Sequence, residues 1–296
     1  MKTDVAFLAN SMKLAGHLYQ PEGDGAARRR PAIVVGHPTT GVKEQTAALY
    51  AQKLADEGFV TLTFDAAYQG ESEGTPHGLE DPFQRADDFR AAVSYLASRD
   101  DVDPERIGVV GICGSGGYVP YAAQTDHRMK AVATVSGADV AAFLRGGDPE
   151  GFRKAVEQSG RLRAEEAAGK PATLVAVVPE SVDDSTPALV RDFHDYYKTP
   201  RAQHPRATNA YVLRSVGQLD QFDAYADVDK IAPRPLLMIA GSEAQTLPFS
   251  QGAVAKAGES AELFVIEGVG HVDLYDKDEA VTPAVAKLAS FFSKNL

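Results

Sequence analysis

The sequence predicts an α/β fold: a mostly parallel sheet, helices on both faces, and a helical lid inserted near the sheet's edge. Three observations predict it. Short apolar, β-branched runs alternate with stretches of helical spacing, the pattern of strands buried on both faces. That alternation stops after Gly137 and resumes at Leu236. Finally, the apolar run through Ile112 breaks into Cys113-Gly114-Ser115-Gly116-Gly117 just where a helical pattern begins.

In chain order, residues 5–19 are apolar pieces broken by Asn10-Ser11 and Gly16, and read as a β-hairpin. The basic triplet Arg28-Arg29-Arg30, beside Gly23, Gly25 and Pro31, reads as a solvated loop rather than a binding site. Residues 32–35 form a short strand ending at Gly36-His37-Pro38. Residues 46–57 form an amphipathic helix closed by Gly58. Residues 60–64 are the next strand, running into Asp65, and residues 81–98 carry Phe89, Ala92, Val93 and Leu96 at helical spacing. A strand over 107–112, a helix over 116–125 and a strand over 131–135 follow. The next stretch holds a charged helical segment over 152–168, an apolar patch over 172–178, and the aromatics Phe193, Tyr196, Tyr197 and Phe222 near Pro200 and Pro205. It reads as a lid folding over the sheet. The aromatics are expected mainly to pack that lid; any that line a pocket imply an apolar or aromatic acyl group. Strands over 236–240 and 263–267, with helices over 250–257 and 280–294, complete the chain.

The 296 residues carry a net charge of −11 and a hydrophobic content of 44%, enough for one large domain or one domain with an insertion. Excess acid argues against a nucleic-acid partner. The single cysteine excludes an internal disulfide and fits a reducing compartment. Residues 1–8 lack a basic segment followed by a long apolar run, and no stretch has the length of a membrane span. The expectation is a cytoplasmic protein with a small-molecule partner, no membrane contact and no cofactor or metal; a homo-oligomer is left open.

Chemistry gathers at the cysteine. A strand turning sharply into a helix lifts one side chain to the top of the turn, and small residues two before and two after it let the backbone segments approach. Gly111, Cys113 and Ser115 have this spacing: G-x-S-x-G with cysteine in the serine position. An inert core cysteine is one rival reading, and Ser115 as nucleophile is another. Cys113 directly follows the apolar strand, whereas Ser115 falls inside the first helical turn, so the register favours Cys113. A cysteine nucleophile needs a base, and His271, in Gly270-His271-Val272 beyond the last strand, is the best placed of seven histidines. A third group should orient the imidazole. Glu243 carries the only carboxylate of the loop over 241–246; Asp139 and Gln245 are the other candidates. Two backbone donors for an oxyanion should come from Gly114 and from Thr39 or Thr40, since Pro38 has no amide hydrogen. His37 reads as a structural hydrogen-bonder, and Asp65, Gly70 and Ser72 as loop scaffold before substrate contacts.

These residues resemble the α/β-hydrolase superfamily, and more narrowly bacterial relatives of dienelactone hydrolase with a cysteine in the nucleophile elbow. The likeness rests on Gly36-His37-Pro38, Phe64-Asp65 with Gly70-Glu71-Ser72, the elbow from Gly111 to Gly117, and Gly270-His271, in the superfamily's order. It covers most of the chain except residues 138–231. The resemblance implies an α/β-hydrolase core over 1–137 and 232–296 with 138–231 as the inserted lid. It also implies Cys113 as nucleophile, His271 as base and then acid, Glu243 as orienting acid, and Gly114 with Thr39 as oxyanion hole. Two positions depart from the pattern: Pro38 follows His37 where glycine is common, and Ala244 stands where aspartate is usual. The implied activity is hydrolysis of a carboxylic ester or lactone through a cysteine acyl-enzyme. Alternatives are a thioesterase, cyclase or acyltransferase acting on a biosynthetic acyl intermediate, and a non-catalytic member with a decayed triad.

Overall fold

An antiparallel hairpin begins the sheet. Strands β1 (Lys2–Ala9) and β2 (Met12–Tyr19) pair in register from Lys2–Tyr19 to Ala9–Met12. Asn10 and Ser11 make the turn, both at positive φ, a conformation short polar side chains tolerate. The computed structural model describes residues 1–22 and 29–296. Arg28, Gly23 and Gly25 of the basic loop lie outside the described residues.

The other strands of the main sheet run parallel to one another: β3 (Arg30–Gly36), β4 (Val60–Phe64), β5 (Val102–Ile112), β6 (Met129–Val135), β9 (Leu236–Gly241) and β10 (Ala261–Ile266). The order across the eight strands is β1-β2-β4-β3-β5-β6-β9-β10. Ile33, Val34, Val35, Val109, Val110 and Ile112 are fully buried because helices cover both faces, which is why these strands read as continuous apolar runs. Helices α2 (Pro82–Ala97), α3 (Ser115–Ala123) and α8 (Leu247–Ala257) pack one face through Phe89, Val93, Leu96, Tyr118 and Ala253. Helices α1 (Thr46–Asp56) and α10 (Asp278–Asn295) pack the other through Tyr50, Leu54, Val281, Leu288 and Phe292. Asp81 caps α2 by accepting from the amides of Phe83 and Gln84, and Pro82 occupies its first turn. Gly58 past the end of α1 sits at φ +101, the conformation expected of a helix-stopping glycine.

Between β6 and β9 the chain builds α4 (Val140–Gly147), α5 (Pro149–Ala167), β7 (Leu174–Ala176), α6 (Ala188–Lys198), β8 (Ala210–Val212) and α7 (Val216–Leu219). β7 and β8 pair with each other, away from the main sheet. The apolar patch over 172–178 is thus an edge of a two-stranded ribbon. Parallel pairing brings the carboxyl ends of β3, β5, β6, β9 and β10 to one rim, where crevice sites of such sheets form.

Candidate active site

Cys113 follows β5 directly and is held at φ +55 before α3 begins at Ser115. The sequence makes this turn feasible through absent side chains. A Cβ on Gly111 would stand 2.1 Å from the Ser115 carbonyl oxygen, and one on Gly116 2.4 Å from the Gly137 Cα. Both obstacles are backbone and cannot swing away. Gly111→Ala is therefore expected to destabilise the fold by about 3 kcal/mol, the upper end of ordinary overpacking costs. Urea unfolding checks this: a midpoint within error of the parent would contradict the contact argument.

Ser115 is buried beneath the turn. Its hydroxyl donates to the His37 carbonyl at 2.5 Å and accepts from the Arg85 guanidinium at 3.2 Å. Arg85 also donates to His37 Nε2 at 3.1 Å, as does the Ala66 amide. Because arginine only donates, that nitrogen is an acceptor, and the proton sits on Nδ1, 2.7 Å from the Pro38 carbonyl. Both nitrogens of His37 are thereby engaged, in keeping with a structural role. Asp65 likewise anchors its loop. It accepts from the Lys43 amide and ammonium and from the Glu71 amide, Gly70 packs on it at φ +54, and Ser72 donates to its carbonyl. The Lys43 ammonium lies among the carboxylates of Glu44, Asp65 and Glu71, and Arg206 pairs with Glu44 and Glu71 from the other side, so two cations sit against these three acids.

The Cys113 sulfur is faced by the backbone amides of Thr39 and Gly114 and by the Tyr275 hydroxyl. Burial pushes the thiol up from its ordinary value, and those donors, with Arg85, pull only partly against it. His271 lines the same pocket. Burial lowers its imidazole to about 4, so the ring is neutral across the physiological range. Its Nδ1 lies 2.7 Å from Thr246 Oγ1 and its Nε2 3.1 Å from the Tyr275 hydroxyl. Phe193 packs edge-on against the ring at 5.6 Å.

None of the expected orienting groups, Glu243, Asp139 or Gln245, is hydrogen-bonded to the His271 ring among the described residues. Glu243 is exposed, and its amide donates to the Val269 carbonyl at 3.0 Å. Asp139 instead caps α4, accepting from the amides of Ala142 and Ala224, both at 2.9 Å. Gln245 is also exposed. Thr246 is the residue at the ring. Sequence reasoning missed it and also Tyr275, although Tyr275 follows His271 by four residues across the short helix α9 (Asp273–Asp276), a spacing that stacks side chains on one face.

The pocket is narrow, with a cavity volume of about 70 Å³. Phe143, Leu144, Leu189 and Phe193, from the stretch between β6 and β9, form its apolar walls. Of Phe193, Tyr196, Tyr197 and Phe222, the first and third line it. Tyr196 packs edge-on against Tyr275 at 5.0 Å, and Phe222 packs against Tyr121 at 4.6 Å.

A parallel sheet carrying a strained elbow at its rim, with a histidine loop beside it, defines an α/β hydrolase. The chain belongs to the dienelactone hydrolase-like α/β-hydrolase superfamily. The model of the Dienelactone hydrolase family matches residues 14–145. The uncharacterized protein YcjY of Escherichia coli is 36% identical over 292 residues, covering 97% of this chain and 95% of YcjY. The crystal structure of hypothetical protein PA2218 from Pseudomonas aeruginosa superposes with a TM-score of 0.93 at 36% identity, covering 100% of this chain and 94% of that one. Acyltransferase drtE of Aspergillus calidoustus is 27% identical over 282 residues, 91% of this chain and 88% of drtE. Among the described residues no helix is long and apolar enough to cross a membrane.

Proposed function

We propose that the protein cleaves a carboxylic ester or lactone through an acyl-thioester on Cys113, with residues 138–231 closing over the acyl group as a lid. The observation that carries this reading is the sulfur itself. It sits on a left-handed turn, opposite two backbone amides, in a pocket that His271 also lines. Those amides, on Thr39 and Gly114, suit an oxyanion forming beside the sulfur. The resting pair is neutral thiol and neutral imidazole. The Tyr275 hydroxyl lies beside both, so it accepts the thiol proton while passing its own to Nε2, leaving thiolate and imidazolium with tyrosine unchanged. Sulfur then attacks the carbonyl carbon. Collapse of the tetrahedral intermediate breaks the bond to the alkoxide, which takes the Nε2 proton. Water, deprotonated by His271, next attacks the thioester, releasing the carboxylic acid and restoring the thiol. Thr246 accepts from Nδ1–H and fixes the tautomer, the task a carboxylate performs in a charged triad.

A second reading, acyl transfer to an alcohol, is favoured by the uncharged partner of His271 and by the apolar walls. The likeness to a protein named as an acyltransferase points the same way. One assay separates the readings: turnover of p-nitrophenyl esters and small lactones, with and without an alcohol acceptor, analysed for free acid and new ester. Free acid as the main product in both conditions supports hydrolysis. New ester as the main product supports transfer, and neither product would contradict both.

A further inference from the structure

Three hydroxyls on residues that line the pocket, Thr39 Oγ1, Thr40 Oγ1 and Tyr197 Oη, are buried with no hydrogen-bond partner among the described residues. Tyr197 is 4% exposed and Thr40 1%. Buried hydroxyls are almost always satisfied, so three in one pocket call for an explanation. Their placement is specific. Thr39 Oγ1 packs on Gly114, the second amide facing the sulfur, and would lie 2.0 Å from a Cβ there. Thr40, β-branched, is held at φ +60, a conformation such residues rarely adopt. Tyr197 Oη reaches in from α6 to the same loop, 3.6 Å from where a Gly41 Cβ would stand. It faces the Tyr275 hydroxyl without forming a bond of proper geometry. Around these hydroxyls the same stretch of chain between β6 and β9 also supplies Phe143, Leu144, Val177, Val178, Leu189 and Phe193, all hydrocarbon side chains.

We infer that the site takes an acyl group bearing a hydroxyl or keto oxygen within a carbon or two of the reacting carbonyl, followed by a hydrocarbon tail. The extra oxygen meets Tyr197 and Thr40 while the carbonyl oxygen occupies the amide pair, and the tail meets Phe143, Leu144 and Leu189. A site built around hydrogen bonds to substrate oxygen discriminates against the analogue lacking it, because its own polar groups then stay unpaired. This inference rests on the proposed Cys113 chemistry and adds the substrate class.

The test compares kcat/KM for p-nitrophenyl α- and β-hydroxyoctanoate with that for p-nitrophenyl octanoate. The parent protein is expected to favour one hydroxy ester by at least about tenfold. Tyr197→Phe and, separately, Thr40→Val should bring that ratio toward one; valine keeps the β-branch, so the backbone strain is unchanged. Either variant suffices if the other does not fold. Turnover that depends on Cys113 but shows no preference for either hydroxy ester overturns the inference alone. So does a preference that survives both hydroxyl deletions. Turnover that survives Cys113→Ala overturns the cysteine chemistry and the inference together.

Discussion

Cys113→Ala is expected to lower kcat/KM on an activated aryl ester by at least about 10³-fold, leaving only what the amide pair and pocket contribute. Alanine keeps a Cβ at φ +55, so the turn is no more strained than before, and the circular dichroism spectrum and unfolding midpoint should match the parent. Cys113→Ser is informative for a different reason. Serine keeps the geometry but offers an alkoxide far harder to form than a thiolate, against a neutral histidine without a carboxylate behind it. Its activity should therefore stay well below that of the parent. Unchanged turnover in the alanine variant would return attention to Ser115, whose hydroxyl is committed to the His37 carbonyl.

The second large effect concerns His271. His271→Gln retains a hydrogen-bonding side chain but cannot carry a proton, and should cost about 10²- to 10⁴-fold in turnover. The pH profile is the sharper readout. An imidazole lowered to about 4 by burial is in its basic form above that pH. The acid limb of kcat/KM should therefore lie near pH 4, falling tenfold per unit below it and staying flat from there through neutrality. Because burial also raises the Cys113 thiol, alkylation by iodoacetamide at neutral pH should be no faster than for a free thiol and should climb in alkali. An acid limb at or above pH 6.5 would mean that a carboxylate reaches the ring in solution, and Glu243 would be the first to examine.

Much of this architecture was legible because its physics is local. Ile33 to Val35 and Val109 to Ile112 are buried on both faces and read as unbroken apolar runs. The elbow was readable because Gly111 and Gly116 face backbone atoms at distances that admit no side chain. Pro38, with no amide hydrogen, narrowed the second donor to Thr39 or Thr40. What escaped depends on direction rather than composition. Glu243 and Thr246 share one loop, yet Glu243 is exposed while Thr246 is buried against the ring, a difference in direction that composition does not carry. Nothing in a lone threonine marks it as a histidine's partner. Tyr275 could have been found by applying helical spacing after His271. The pairing of β7 with β8 could not, since three-residue strands have too short a period to register.

The central claim is covalent and is tested by mass. The protein is mixed with a slowly deacylating aryl ester and quenched in acid; intact mass and peptide mapping then locate the added acyl group. The account predicts one acyl group on the peptide bearing Cys113, removed by neutral hydroxylamine as a thioester should be and absent from Cys113→Ala. An acyl group on Ser115, or turnover with no acylated protein at any time point, would contradict it.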